Sequence, residues 1–349
     1  MILMPDSDYK VVSLAAGSRA KRVSTMKINP VLGIDIALRS FDAALWFDST
    51  RCAKAQFSND PRGFRQLTRW LKQHFAGPVP AALESTNTYG EALARYLHTH
   101  GHRVYLLNPE RVACFARTLG QRNKTDPADA VTIARFIVGR DDLTVWQPPA
   151  PEQQALRSLT RVRQQLTEQS VLLRNQLRTA TPTARRHLQA VLRIIAHELA
   201  ALVREIRAHL KAHPSLGEQV RRLMTCKGIG LVTAAVAVAE LPPIDRHTDP
   251  RAICAWTGLT PRRWQSGRTE LPARLSRKGN AYLRHALFMP ALVAKRHNPL
   301  LRSFAQRLSA NGKRPGAILG AVSHKLLRII VGLLRSQTNF DPNWSPQKT

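Results

Sequence analysis

Hydrophobic and polar positions change their period several times along this 349-residue chain, and those changes divide it. After a polar, irregular stretch from 1 to 28, short apolar runs at Val31–Asp35, Asp42–Phe47 and Ala53–Phe57 have the pattern of strands. Three strands so close together predict an antiparallel meander. Phe64, Leu67, Trp70, Leu71 and Phe75 then recur at helical spacing until Gly77-Pro78 ends the segment. A strand at Val79–Glu84, a helix from about Tyr89 to His98 and a strand at Arg103–Leu107 follow. Next, Asp126 and Pro127 fit the start of a helix along which Val131, Ile133, Ala134 and Phe136 continue the apolar spacing.

Gln147-Pro148-Pro149-Ala150-Pro151 is a stiff linker, and beyond it the strand pattern stops. Residues 152 to 213 read as helix broken once near Thr181-Pro182. Leu159, Leu166 and Leu173 recur every seven residues, and Leu188, Leu192, Ile195, Leu199, Leu202 and Ile206 form a second stripe. Arg157, Arg161, Arg163, Arg174 and further arginines decorate it, as expected of a solvated hairpin or of a coiled-coil arm that pairs subunits and touches nucleic acid. The expected organisation is an N-terminal extension (1–28), an α/β domain (29–146), a linker and helical arm (147–215), a mostly helical domain (216–335) and a loose tail (336–349).

Charge changes the picture from architecture to partners. A formal net charge of +30, in which Arg greatly outnumbers Lys, predicts binding to a polyanion and suits bidentate phosphate contact. Cys52, Cys114, Cys226 and Cys254 make no zinc spacing and read as reduced, mostly buried thiols. The N-terminal stretch lacks the apolar core of a secretory signal, and the runs Ile229–Ala239 and Ile329–Leu334 are too short to span a bilayer. The expectation is a cytoplasmic, nucleoid-associated protein with no membrane partner.

Two apolar strands end in acids, Asp35 and Glu84, and Asp126 and Asp129 share one face of their helix. Acids at strand ends are costly to bury unless paired or bound to a metal, whereas the helical pair could simply cap its helix. Asp42 and Asp48 are alternatives that suit an outer strand and a turn. In the second half, Lys227-Gly228-Ile229-Gly230 resembles a helix-hairpin-helix turn that offers backbone N–H groups to a phosphate, although two glycines also let helices pack closely. Ser266 stands in a short polar turn among Arg262, Arg263 and Arg268, where a nucleophilic hydroxyl would have cations beside it; a plain turn role fits the same residues. Arg277 and Lys278 extend this basic, nucleic-acid-binding set, and Ser276 reads as the cap of the helix carrying Tyr282.

The order of elements in the first half resembles the RNase H-like fold, in which the first and fourth strands lie side by side, and that resemblance places Asp35 beside Glu84. The acids Asp35, Glu84, Asp126 and Asp129, the G-I-G turn, W-T-G-L-T-P with Q-S-G, and S-R-K-G-N-A-Y-L-R together resemble the DEDD transposases of bridge-RNA-guided insertion sequences. The resemblance runs from about Val31 to Leu334. It implies a RuvC-like domain whose four acids hold one or two Mg2+ ions, and a C-terminal transposase domain whose catalytic serine is Ser266. It further implies a covalent phosphoserine, strand exchange on target and donor DNA chosen by a guide (bridge) RNA, and homodimers or homotetramers. A metal-dependent junction endonuclease using water, or a noncatalytic RNA-binding protein, are the alternatives.

Overall fold

The computed structural model describes residues 30–84, 88–119, 126–245, 247–266 and 269–342, with side chains at 88, 126–128, 263–266 and 269–273 excepted. The expected N-terminal extension and the end of the tail lie outside these residues. The chain divides into two compact units, Met1–Pro148 and Pro149–Thr349.

In the first unit, β1 (Val31–Ile36), β2 (Ser40–Trp46) and β3 (Cys52–Ser58) form the expected meander, followed by α1 (Pro61–His74) and β4 (Pro80–Glu84). A 3-10 turn leads into α2 (Glu91–Thr99), and β5 (Arg103–Leu107), α3 (Pro109–Thr118) and α4 (Asp126–Ile137) complete the unit. The sheet order is β3-β2-β1-β4-β5, with β1 antiparallel to β2 and parallel to β4. This is an RNase H-like sheet. Leu32, Ile34, Ala81 and Leu83 face α1 and α2 on one side, while Val31 and Ala82 meet Ile133 and Phe136 of α4 on the other. Burial on both faces explains why β1 and β4 read as continuous apolar runs rather than alternating ones.

Helix α3 was not expected from the apolar pattern. It buries only Val112, so its stripe is too thin to register as a period. Its one local signal is Asn108-Pro109, where the Asn108 side chain accepts from the Glu110 N–H at 2.9 Å.

The second unit runs α5 (Pro151–Leu177), α6 (Pro182–Ala212), α7 (Pro214–Met224), α8 (Leu231–Glu240) and α9 (Pro250–Thr257). After these come β6 (Pro261–Ser266), β7 (Thr269–Leu275), α10 (Ala281–His297), α11 (Pro299–Ala310) and α12 (Pro315–Ser336). Helices α5 and α6 are antiparallel, and His209 near the end of α6 bonds the Glu152 carbonyl at the start of α5 at 2.8 Å. The near end of this hairpin, with Leu156, Ile206 and Leu210, joins the core of the unit, whereas Leu172 and Ile194 are exposed further along. Helix α12 has the length and composition to cross a bilayer, more than the short run Ile329–Leu334 suggested. Here it is the central helix of a core, with Val322, Leu326 and Ile330 fully buried.

The four thiols are free. Burial pushes the Cys226 thiol up to about 12 and the Cys254 thiol up to about 11, so both stay neutral at ordinary pH. Cys114 is exposed, against the expectation of burial, because α3 turns so little of its surface inward.

Candidate active site

Parallel pairing aligns Gly33 with Ala82 and Ile34 with Leu83, so the next positions, Asp35 and Glu84, stand on neighbouring strands at the same edge. Both lie two residues beyond positions that face α4, Gly33 and Ala82, and strand alternation therefore turns them to that same face. A Cβ on Gly33 would lie 2.1 Å from the Ala130 carbonyl oxygen, which shows how closely the α4 backbone crosses β1. At its far end, α4 runs into Val138 and Gly139, which line a cleft with Val31, Pro80 and Arg103 at the amino ends of the strands. The first turn of α4, with Asp126 and Asp129, therefore lies toward the carboxyl ends of β1 and β4, where Asp35 and Glu84 stand. That edge is where open α/β sheets place their ligands.

Asp42 is directly opposite Asp35 in the antiparallel register, nearly buried, with its Oδ2 accepting from Gln56 at 3.1 Å. It shares the α4 face with Asp35 and is a fifth carboxylate at this end of the sheet. Asp48 is a turn residue; bonds from the Thr50 hydroxyl and the Thr50 and Arg51 N–H groups hold its carboxyl below the usual range. The four predicted acids offer the hard oxygen donors that Mg2+ takes. Among the described residues no three His, Cys, Asp or Glu side chains are grouped closely enough to hold an ion, and the Asp126 side chain lies outside them.

Ser266 is not inside a turn, as its polar neighbours suggested, but is the last residue of β6, in register with Thr269 of β7. Gly267 and Arg268 between them lie outside the described residues. Arg262 is exposed near the base of this hairpin, opposite Arg274, and Arg263 is the next residue of β6. The base is closed by a bond from the Ser276 N–H to the Thr260 carbonyl, 3.0 Å, and Ser276 does not cap the next helix, which begins only at Ala281. Asn280 does, accepting from the Leu283 N–H at 2.9 Å.

The W-T-G-L and S-R-K-G-N segments interlock behind the hairpin. The Arg277 N–H donates to the Gly258 carbonyl at 3.1 Å and the Asn280 N–H to the Trp256 carbonyl at 3.3 Å. Gly279, at φ 125°, has the Trp256 oxygen 1.8 Å from where a Cβ would be, so no side chain fits. Arg277 and Lys278 are exposed on this junction. In the G-I-G turn, Gly228 at φ 107° packs against Ala294 of α10, which accounts for that glycine by packing, while Lys227 and Gly230 are exposed.

Residues 32–183 match the DEDD transposase family of IS110 elements, and residues 220–306 match the transposase family of IS116, IS110 and IS902. The chain belongs to the IS110/IS116 family of insertion-sequence transposases. It is similar to the pilin gene-inverting protein of Moraxella bovis, with 28% identity covering 89% of this chain and 97% of that protein. The transposase of IS1328 from Yersinia enterocolitica is 29% identical over 65% of this chain and 74% of its own. The transposase of IS1111A from Coxiella burnetii is 25% identical over 79% and 81%.

One residue of this transposase escaped the sequence reading. Glu240, only 3% exposed at the end of α8, is bonded by Arg161 through Nε and Nη2 at 2.6 and 2.9 Å and by the Asn280 side chain at 2.8 Å. Arg161 also lies over the Tyr282 ring, 4.5 Å from its centroid, and the Arg157 Nε bonds the Ala239 carbonyl at 2.9 Å. Two arginines read as decoration of the arm thus tie α5 to α8 and to the start of α10. The available signal was an acid closing a helix whose only other polar residue is Thr233.

Proposed function

We propose that this IS110/IS116-family transposase recombines DNA through a covalent phosphoserine at Ser266, with Asp35, Glu84, Asp126 and Asp129 as an Mg2+ site. A guide RNA from the element's flank would choose target and donor by base pairing, while the protein holds shape and phosphates. The observation that carries the reading is the meeting of Asp35 and Glu84 at adjacent strand ends beneath the helix that begins at Asp126. The chemistry of the donor set supports the metal, since four carboxylates favour a hard cation over a softer one. Bound there, Mg2+ would polarise a phosphodiester and stabilise its attacking and leaving oxygens.

The serine step is a transesterification. The Ser266 oxygen forms a bond to phosphorus as one bridging P–O bond breaks. The serine proton passes to solvent, and the departing strand oxygen takes up a proton to leave as a hydroxyl. One ester replaces another, so attack by the hydroxyl of a second strand can reseal the DNA without a free double-strand end. Arg262, Arg263, Arg268, Arg277 and Lys278 would neutralise phosphates around the hairpin, and Lys227, Gly228 and Gly230 would bind backbone further along. Homodimers or homotetramers paired through the α5–α6 arm, working on DNA in the cytoplasm, complete the reading.

The test is a denaturing gel for protein–DNA adducts, using purified protein, Mg2+, the element's flanking RNA and matched DNA. An adduct lost in Ser266→Ala, and lost in Glu84→Ala or Asp126→Ala, is the expected result. Cleavage without an adduct, unchanged by Ser266→Ala, would make this a hydrolytic nuclease instead.

A further inference from the structure

The junction of Trp256–Gly258 with Arg277–Asn280 has features that the serine chemistry leaves unused. Trp256 is 45% exposed, a large indole left at the surface at the end of α9. Its backbone is fixed, since its carbonyl is bonded by Asn280 and pressed by Gly279. Arg277 is one of two non-glycine residues, among those described, with a positive φ, here 55°. Such a backbone is unfavourable for an L-residue, and it persists here because the Arg277 N–H is held by Gly258.

Arg284 stands behind Arg277. Its Nη1 donates to the Thr257 carbonyl at 2.9 Å and to the Gly279 carbonyl at 3.0 Å, which leaves other donors of the guanidinium unused by those bonds. Partial burial, and then the charge of Arg277, lower its pKa, so two like charges are held near one another. Among the described residues no carboxylate forms an ion pair with either arginine. Two guanidinium groups without a carboxylate partner, at a junction whose fixed backbone also carries an exposed indole, favour a ligand with one anionic and one flat aromatic part.

We infer that this junction binds an unstacked nucleotide, Trp256 stacking on the base while Arg277 and Arg284 take its phosphate. The inference rests on the reading of the chain as a DNA-acting transposase and adds to it a preference for unpaired strand. Bases inside a duplex are stacked on one another and cannot lie on an indole. A base in a single strand or an opened junction can. Arg284 is a positioning residue as much as a binding one, because its bonds to Thr257 and Gly279 brace the two segments.

The test measures binding of the full chain to a fluorescein-labelled oligothymidylate single strand and to a blunt DNA duplex of equal length. Trp256→Ala is expected to weaken single-strand binding about tenfold, with duplex binding nearly unchanged. Trp256→Phe should retain most of the affinity and Trp256→Leu should not, which separates stacking from bulk, and thermal unfolding confirms that each variant is folded. Arg277→Gly, which the left-handed backbone accepts, should weaken both ligands and reduce the salt slope by about one. Equal loss for both ligands in Trp256→Ala, or no loss in either, overturns the inference and leaves the DNA reading standing. A wild-type chain that binds neither ligand overturns both.

Discussion

Glu240 shows how much a single residue can hold. Its carboxylate is inside the second unit, bonded by Arg161 and Asn280. Removing one partner of such a pair strands the other, and that cost exceeds the net worth of the pair. Glu240→Ala should therefore destabilise the unit by about 3 kcal/mol, read as a lower urea midpoint in helical circular dichroism. Combining it with Arg161→Met should recover part of the loss, since the stranded charge is then gone. The sequence could not show this network, because Arg161 and Asn280 are far from Glu240 along the chain. Asp35 and Glu84 were legible for the opposite reason: an acid ending an apolar strand is a local anomaly that needs no partner to be noticed. The place of Asp42 opposite Asp35 could not be read locally, because it depends on register, which is a property of two strands together.

At the scale of elements, the contact of α4 with β1 positions the acids. It requires a residue without a side chain at Gly33, where any Cβ would collide with the Ala130 and Ala134 backbones. Backbone cannot yield as a flexible side chain does. Gly33→Ala should cost about 1–3 kcal/mol or more in thermal stability and should abolish adduct formation even in the folded fraction, by lifting Asp126 and Asp129 away from the strand ends. Most strands and helices of the first unit were readable because they bury apolar residues at regular spacing. Helix α3 was not, with Val112 as its only buried residue. The β6–β7 hairpin was missed for a related reason. Pro261 to Ser266 is mostly polar and alternates nothing, so only its pairing with Thr269 to Leu275 makes it a strand. Ser276 looked like a helix cap by type, yet the helix begins only at Ala281, and Asn280, directly before it, is its cap.

For the whole molecule, each unit has its own core, and the basic charge is carried along the length of both. A net charge of +30 makes binding a matter of counterion release. If six or more phosphates are neutralised, affinity for DNA should fall about a thousandfold between 50 and 200 mM salt, measured by fluorescence anisotropy. A shallow dependence would mean that the arginines serve solubility rather than binding. The hairpin that ends β6 at Ser266 carries a mechanical consequence. Among the described residues its two strands pack chiefly on each other, and it is pinned at one end by Thr260 and Ser276. Strands of this length reach about 20 Å, so the hairpin has the proportions of a lever fixed at its root. Ser266 stands at the far end of that lever, so its distance from the core is set by the length of the two strands.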